Sequence, residues 1–151
     1  MDRIVVGFDG TQKDRSLTLW VGAFAREVGA HLIAAHFIPM PTAWMVAGAQ
    51  VDSAQYIDEL QYHFETSVLD LLREVDPCLY FHIDFGDPAR ELASLAVRTE
   101  ADLIAIGARE HSRLHDVVFG SVERQLVRLT SIPVLAVPCP SVRAHALGRS
   151  S

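Results

Sequence analysis

Apolar residues gather along the chain in short, β-branched runs separated by longer stretches of helical period, the pattern of strands and helices in alternation. Residues 3–8 (RIVVGF) predict a first strand, stopped by the turn signal Asp9-Gly10-Thr11. Leu17, Trp20, Val21, Phe24 and Val28 then recur as one apolar helical stripe, which Gly29 ends. Residues 31–38 (HLIAAHFI) are almost unbroken in apolar character, as a strand covered on both faces requires, and Pro39 and Pro41 close it. The loop at 39–53 carries Met40, Trp44 and Met45. Two placements fit those side chains, over a cleft or against the helix that follows.

That helix is predicted from about Ala54, with Ile57, Leu60, Phe64, Val68, Leu71 and Leu72 on its apolar face and an end before Pro77. Residues 78–85 (CLYFHIDF) read as a third strand. Gly86-Asp87-Pro88 reads as a turn in which Asp87 caps the next helix and Pro88 occupies its first position, because Asp accepts an orphan N–H and Pro lacks one. The helix through 91–99 should bury Leu92, Leu95 and Ala96. Residues 102–107 (DLIAIG) form a fourth buried strand, 108–119 a polar loop, and Gly120-Ser121 opens a helix showing Val122, Leu126 and Leu129. Residues 133–138 (PVLAVP), bounded by Pro133 and Pro138, form a fifth strand. The tail, 139–151, has no periodicity and is expected to be mobile. Strict β-α alternation implies right-handed crossovers and a parallel sheet with helices on both faces, hence a single α/β domain over 1–138.

Composition narrows the class without changing that picture. A chain of 151 residues with mean hydropathy +0.20 buries enough surface to fold without metal or disulfide. Net charge is −6, the wrong sign for coating nucleic acid or anionic lipid, and no apolar run reaches a membrane span. Neither nucleic acid nor membrane is expected as a partner. Twelve arginines accompany a single lysine, Lys13, scattered in a way that suggests codon bias rather than a binding patch. Cys78 and Cys139 lack ligand spacing and read as reduced structural thiols. With no signal peptide after Met1-Asp2-Arg3, the expected compartment is the cytoplasm.

Open parallel sheets bind ligands at the carboxyl ends of their strands, where strand order reverses, so the segments after the first and fourth strands matter most. Gly120-Ser121 at a helix start offers free backbone N–H groups, a hydroxyl and the positive end of the helix dipole, a set suited to phosphate oxygens. A plain helix cap is the simpler explanation of the same pair. Gly107, ending a strand at the ligand edge, narrows the difference between the two.

The segments VGFDGT, GDPARE, DLIAIGAR and GSVERQLVRLTSIPVLAVP together resemble the universal stress proteins (UspA-like domains), over residues 3–138. The resemblance implies an open, doubly wound, Rossmann-like parallel sheet of five strands in the order 3-2-1-4-5. It also implies binding of ATP or another adenine nucleotide (AMP or ADP), with or without Mg²⁺, as part of a stress response. The family's Gly-x2-Gly-x9-Gly-(Ser/Thr) pattern falls on Gly107, Gly120 and Ser121 at the right spacing, with Glu110 where the second glycine belongs. By the same resemblance Asp9 meets adenosine with Gly7 nearby, and Phe37 lies near adenine. Ile106 and Gly107 line the pocket, Arg109 and Glu110 follow in the motif, and the backbone of Gly120, Ser121 and Val122 holds phosphate. A homodimer through the fifth strand is implied too, and a short apolar edge strand such as 133–138 would be hazardous bare.

Glu110 bears on whether such a site works. A carboxylate 4–6 Å from phosphate costs about 1 kcal/mol or more, and a glycine's positive φ strains Glu. Arg109, His111, Arg113 and His115 in the same loop offset the charge, and a carboxylate pointing away from the site would be harmless. Three functions therefore stand: a regulatory nucleotide-binding domain without efficient turnover; a dimeric protein-interaction module that has lost the nucleotide; and a slow ATPase or a domain phosphorylating itself at Ser121 or a nearby hydroxyl. No general base is evident for water activation. Other α/β families fit poorly. A DGT triplet also occurs in the DxDGT motif of haloacid-dehalogenase-like phosphatases, but their nucleophile would fall at Gly7. A response-regulator receiver with Asp9 and Asp84 needs a Lys after the fifth strand, where Cys139-Pro140 stands. His111 and His115 have zinc-ligand spacing but no third partner.

Overall fold

The computed structural model describes residues 1–39, 48, 52–110, 117–118 and 121–139, with the backbone alone at 109–110 and 117–118. Its strands are β1 (Arg3–Phe8), β2 (His31–Ile38), β3 (Tyr80–Phe85), β4 (Leu103–Glu110), the two-residue β5 (Val117–Val118) and β6 (Val134–Cys139). The helices are α1 (Lys13–Val28), α2 (Ser53–Phe64), α3 (Asp70–Val75), α4 (Pro88–Arg98) and α5 (Ser121–Leu129). Five strands run parallel in the order β3-β2-β1-β4-β6, the order 3-2-1-4-5 expected when the short β5 is set apart.

Period-two alternation sends successive strand residues to opposite faces. Ile4, Val6, Phe8, Leu32, Ala34, Leu103 and Ala105 meet Leu17, Val21 and Ala25 of α1 and the α2–α3 segment on one face. Val5, Ile33, Ala35, Phe37, Ile104 and Ile106 meet Leu92, Leu95 and Ala96 of α4 and Leu126 of α5 on the other. The chain thus leaves β1 toward one face and β4 toward the other, which opens a crevice between their carboxyl ends.

Several expected boundaries shift for identifiable reasons. The α1 stripe is rotated: Leu17, Val21 and Ala25 are buried, whereas Trp20 and Val28 are exposed. Trp20 instead stacks on Phe24 along the flank of the helix, ring centroids 5.2 Å apart. The long amphipathic helix is interrupted by a π-helical segment, Glu65–Leu69, where the Thr66 and Ser67 hydroxyls donate to carbonyls of the preceding turn. The extra residue turns Leu69 into the core beside Val68 and Leu72, and leaves Leu71 half-exposed. Strand β4 continues past Gly107 to Glu110, because Arg109 and Glu110 pair antiparallel with Val118 and Val117. The start of the expected 108–119 loop is therefore strand. The third strand begins two residues later than expected, and β6 runs to Cys139 rather than ending at Pro138.

Two expected helix ends hold. Gly29 ends α1 in the left-handed conformation at φ 70°, and Asp87 caps α4 through the Arg90 N–H at 3.2 Å, with Pro88 in its first turn. Both cysteines are free, Cys78 exposed and Cys139 buried. Among the described residues no helix is long and apolar enough to cross a membrane. The loop bearing Met40, Trp44 and Met45, the pair His111 and His115, and residues 140–151 of the tail lie outside the described residues.

Candidate functional site

The crevice at the switch point holds a cleft of about 290 Å³, at the lower end of the range for ligand pockets. Gly7, Asp9, Phe37, Ile106, Gly107, Ser121 and Val122 line it, seven of the ten expected site residues. Gly120 lies outside the described residues, as do the side chains of Arg109 and Glu110.

The loop leaving β1 is held by its own side chains. Gly10 turns at φ +80°, which a β-carbon would strain. Asp9 Oδ1 accepts the Thr11 N–H at 2.9 Å and the Thr11 hydroxyl at 2.6 Å, while Oδ2 pairs with Lys13 Nζ at 2.8 Å. Asp14, nearly buried in the first turn of α1, accepts the Asp9 N–H at 3.1 Å and the Gly10 N–H at 2.8 Å. Two carboxylates are thus packed against one loop. Burial opposes charge on Asp9, but the bonds from Lys13 and Thr11 together outweigh it and hold the group below its usual value. Asp14 has no such cation: burial, with the neighbouring Asp9 charge, pushes it up to about 7.

Across the cleft, β2 contributes the buried Phe37 and His36. His36 Nδ1 lies 3.0 Å from the Phe8 carbonyl, and burial outweighs that bond and lowers its pKa, so the ring stays neutral at pH 7. Two of the glycines sit where a β-carbon would be crowded. A β-carbon at Gly7 would sit 2.7 Å from Leu92 Cδ1, and one at Gly107 would lie 3.3 Å from Cys139 Sγ and 3.4 Å from Lys13 Cβ. At the third side of the cleft, α5 presents exposed Ser121, half-buried Val122 and Glu123. Glu123 is 8% exposed, and its Oε2 has no hydrogen-bond partner among the described residues.

Sequence reasoning missed Lys13, Asp14, His36, Leu92 and Glu123 as cleft residues. Lys13 stands four residues after Asp9 in the first turn of a helix, the spacing of an ion pair. Glu123 stands three residues after Gly120, the spacing of a capping carboxylate. Both signals were present as local patterns. Asp14 and His36 gave none, since only the tertiary fold places them at the cleft.

Glu110 also reads differently once β4 is seen. It pairs with Val117 in the ladder, an extended backbone that any residue adopts, so no glycine is needed there on conformational grounds. Its charge alone remains as an objection. Among the described residues, no group of three or more His, Cys, Asp or Glu side chains converges as metal ligands.

A model of the universal stress protein family matches residues 1–138. The stress response protein NhaX of Bacillus subtilis (strain 168) is 27% identical over 161 aligned positions, covering 90% of this chain and 97% of that protein. Among solved structures, a universal stress protein from Archaeoglobus fulgidus in complex with dAMP superposes with TM-score 0.62 at 19% identity, covering 91% of this chain and 97% of the other. A universal stress protein in complex with cAMP superposes with TM-score 0.59 at 21% identity, with the same coverage of each chain.

Proposed function

This chain belongs to the universal stress protein family, and from that premise we propose that its cleft binds an adenine nucleotide as a regulatory ligand in a stress response, without efficient turnover. The observation that carries the reading is the convergence of Gly7, Asp9, Phe37, Ile106, Gly107, Ser121 and Val122 on one cleft at the switch point. Phe37, Ile106 and Val122 supply apolar walls suited to a base, and the start of α5 supplies N–H groups suited to a phosphate. The dAMP and cAMP complexes of structural neighbours support the same ligand class. Arg109, Glu110 and Gly120 complete the proposed site through the family motif.

Turnover is not part of the proposal. Both oxygens of Asp14 accept backbone N–H groups, and both of Asp9 are held by Thr11 and Lys13, so neither carboxylate is free to activate water. Binding is tested by thermal unfolding with AMP, ATP and Mg-ATP. A ligand at 100 times its dissociation constant stabilises by about 2.7 kcal/mol, and absence of any shift at millimolar concentration refutes the reading.

We further propose that the protein acts in the cytoplasm as a homodimer joined through β6, whose residues Val134, Leu135 and Ala136 are only half-buried. Val137 packs into the core, so the informative substitution is Ala136→Lys, which should give a monomer by light scattering. A dimer that survives it excludes this interface.

A further inference from the structure

The nucleotide reading leaves open how much negative charge the cleft accepts, and its own ionisable groups answer that. Among the described residues, its walls carry three carboxyl groups, Asp9, Asp14 and Glu123, and one lysine, Lys13. Lys13 is already engaged, with Nζ 2.8 Å from Asp9 Oδ2. His36 adds no charge, being buried against the Phe8 carbonyl. Among the described residues, the cleft offers no uncommitted cation for a polyphosphate chain.

Glu123 is the decisive member. It sits in the first turn of α5, beside Ser121 and Val122, the residues placed to receive phosphate. Its side chain is almost wholly buried, and Oε2 has no partner among the described residues. A carboxylate with so little contact with solvent is screened less than a surface carboxylate, and its field reaches further into the cleft. The helix dipole and free N–H groups attract the first phosphate, while Glu123 opposes each further charge.

Resting on the adenine-nucleotide reading, we infer that the cleft selects the least charged members of that class, adenosine and adenosine monophosphates, over di- and triphosphates. Glu123 is the residue that sets this limit. The small cleft volume agrees with a compact ligand.

The test is calorimetric titration of the full chain with adenosine, AMP, cAMP, ADP and ATP, each with and without Mg²⁺, at fixed ionic strength. The wild-type protein should bind AMP at least about tenfold more tightly than ATP, and Glu123→Gln and Glu123→Ser should each narrow that ratio by about tenfold, the effect of one nearby unit charge in a partly screened cleft. Binding of adenosine should change little. ATP or Mg-ATP binding the wild type as tightly as AMP overturns the inference, and that result does not depend on any variant folding. A preference for AMP that both folded variants retain also overturns it, by removing Glu123 as its source. Failure of every adenine compound to bind is a different result, which brings down the nucleotide reading itself.

Discussion

The two ends of the sheet surround their carboxylates differently. At the amino ends of the strands, carboxylates are consumed by backbone. Asp102, just before β4, accepts the N–H groups of Asp2 and Arg3 at 2.7 and 3.1 Å and so ties β4 to the start of β1. Asp76, buried before β3, accepts the N–H of Leu32 at 2.8 Å and that of Cys78 at 3.1 Å, and His31 lies beside it at 3.4 Å. At the carboxyl ends, Asp9 and Asp14 are crowded against each other around a single lysine, and Glu123 Oε2 has no partner among the described residues. Asp14 holds backbone as Asp76 does, so what sets the carboxyl ends apart is the crowding of two carboxyl groups and the unpartnered oxygen of Glu123. That contrast points to the carboxyl ends as the ligand side, without reference to relatives.

The sharpest way to break it is at Asp76. Removing a buried carboxylate leaves two backbone donors unsatisfied, so Asp76→Ala should destabilise the protein by about 4 kcal/mol in denaturant unfolding. Nucleotide affinity of the folded fraction should stay unchanged. A comparable loss of affinity would show that the two ends are not independent.

Asp14 gives the next largest effect, and its sign is opposite to that of a paired carboxylate. The native state keeps its proton up to about pH 7, whereas the unfolded chain releases it near the ordinary value of 3.8. The native state therefore binds more protons within that window, and this contribution to stability is lost as pH rises from about 4 to about 7. Relative to wild type, Asp14→Asn should gain about 3 kcal/mol between pH 4.5 and pH 8, seen as a pH-dependent difference in chemical unfolding. A difference that is flat with pH would place an ordinary, paired carboxylate there.

A smaller effect is expected at Gly7, where the fold and the cleft meet. The added methyl of Gly7→Ala presses on Leu92 and Ile106, both cleft-lining residues. Overpacking should cost about 2 kcal/mol, with weaker nucleotide binding as Leu92 is pushed into the cleft. Unaltered affinity would argue that the ligand sits elsewhere.

The strand blocks were legible because a buried parallel strand must be apolar along its length, and 31–38 and 3–8 coincide with β2 and β1. The Gly29 stop and the Asp87-Pro88 start were legible because their chemistry is local. The π-helical segment at Glu65–Leu69 and the rotated face of α1 were not, since both depend on what the helices pack against. Trp20 fits the periodicity as well as Ala25 does, yet the close fit between α1 and the sheet admits the smaller side chain. At the site, Asp9, Gly107 and Ser121 stood out by motif. The crowding of Asp14 against Asp9, the neutrality of His36 and the isolation of Glu123 are properties of a folded environment, and no one-dimensional pattern carries them.

The central claim is that a nucleotide is received at the carboxyl ends of the strands while the amino ends remain a closed structural seam. Amide chemical-shift mapping during a titration with AMP tests this most directly. Shifts are predicted at Gly7, Asp9, Gly10, Phe37, Gly107, Ser121 and Val122, with Leu32, Cys78, Asp2 and Arg3 unmoved. Shifts centred on the second group, or no shifts at saturating AMP, would contradict it.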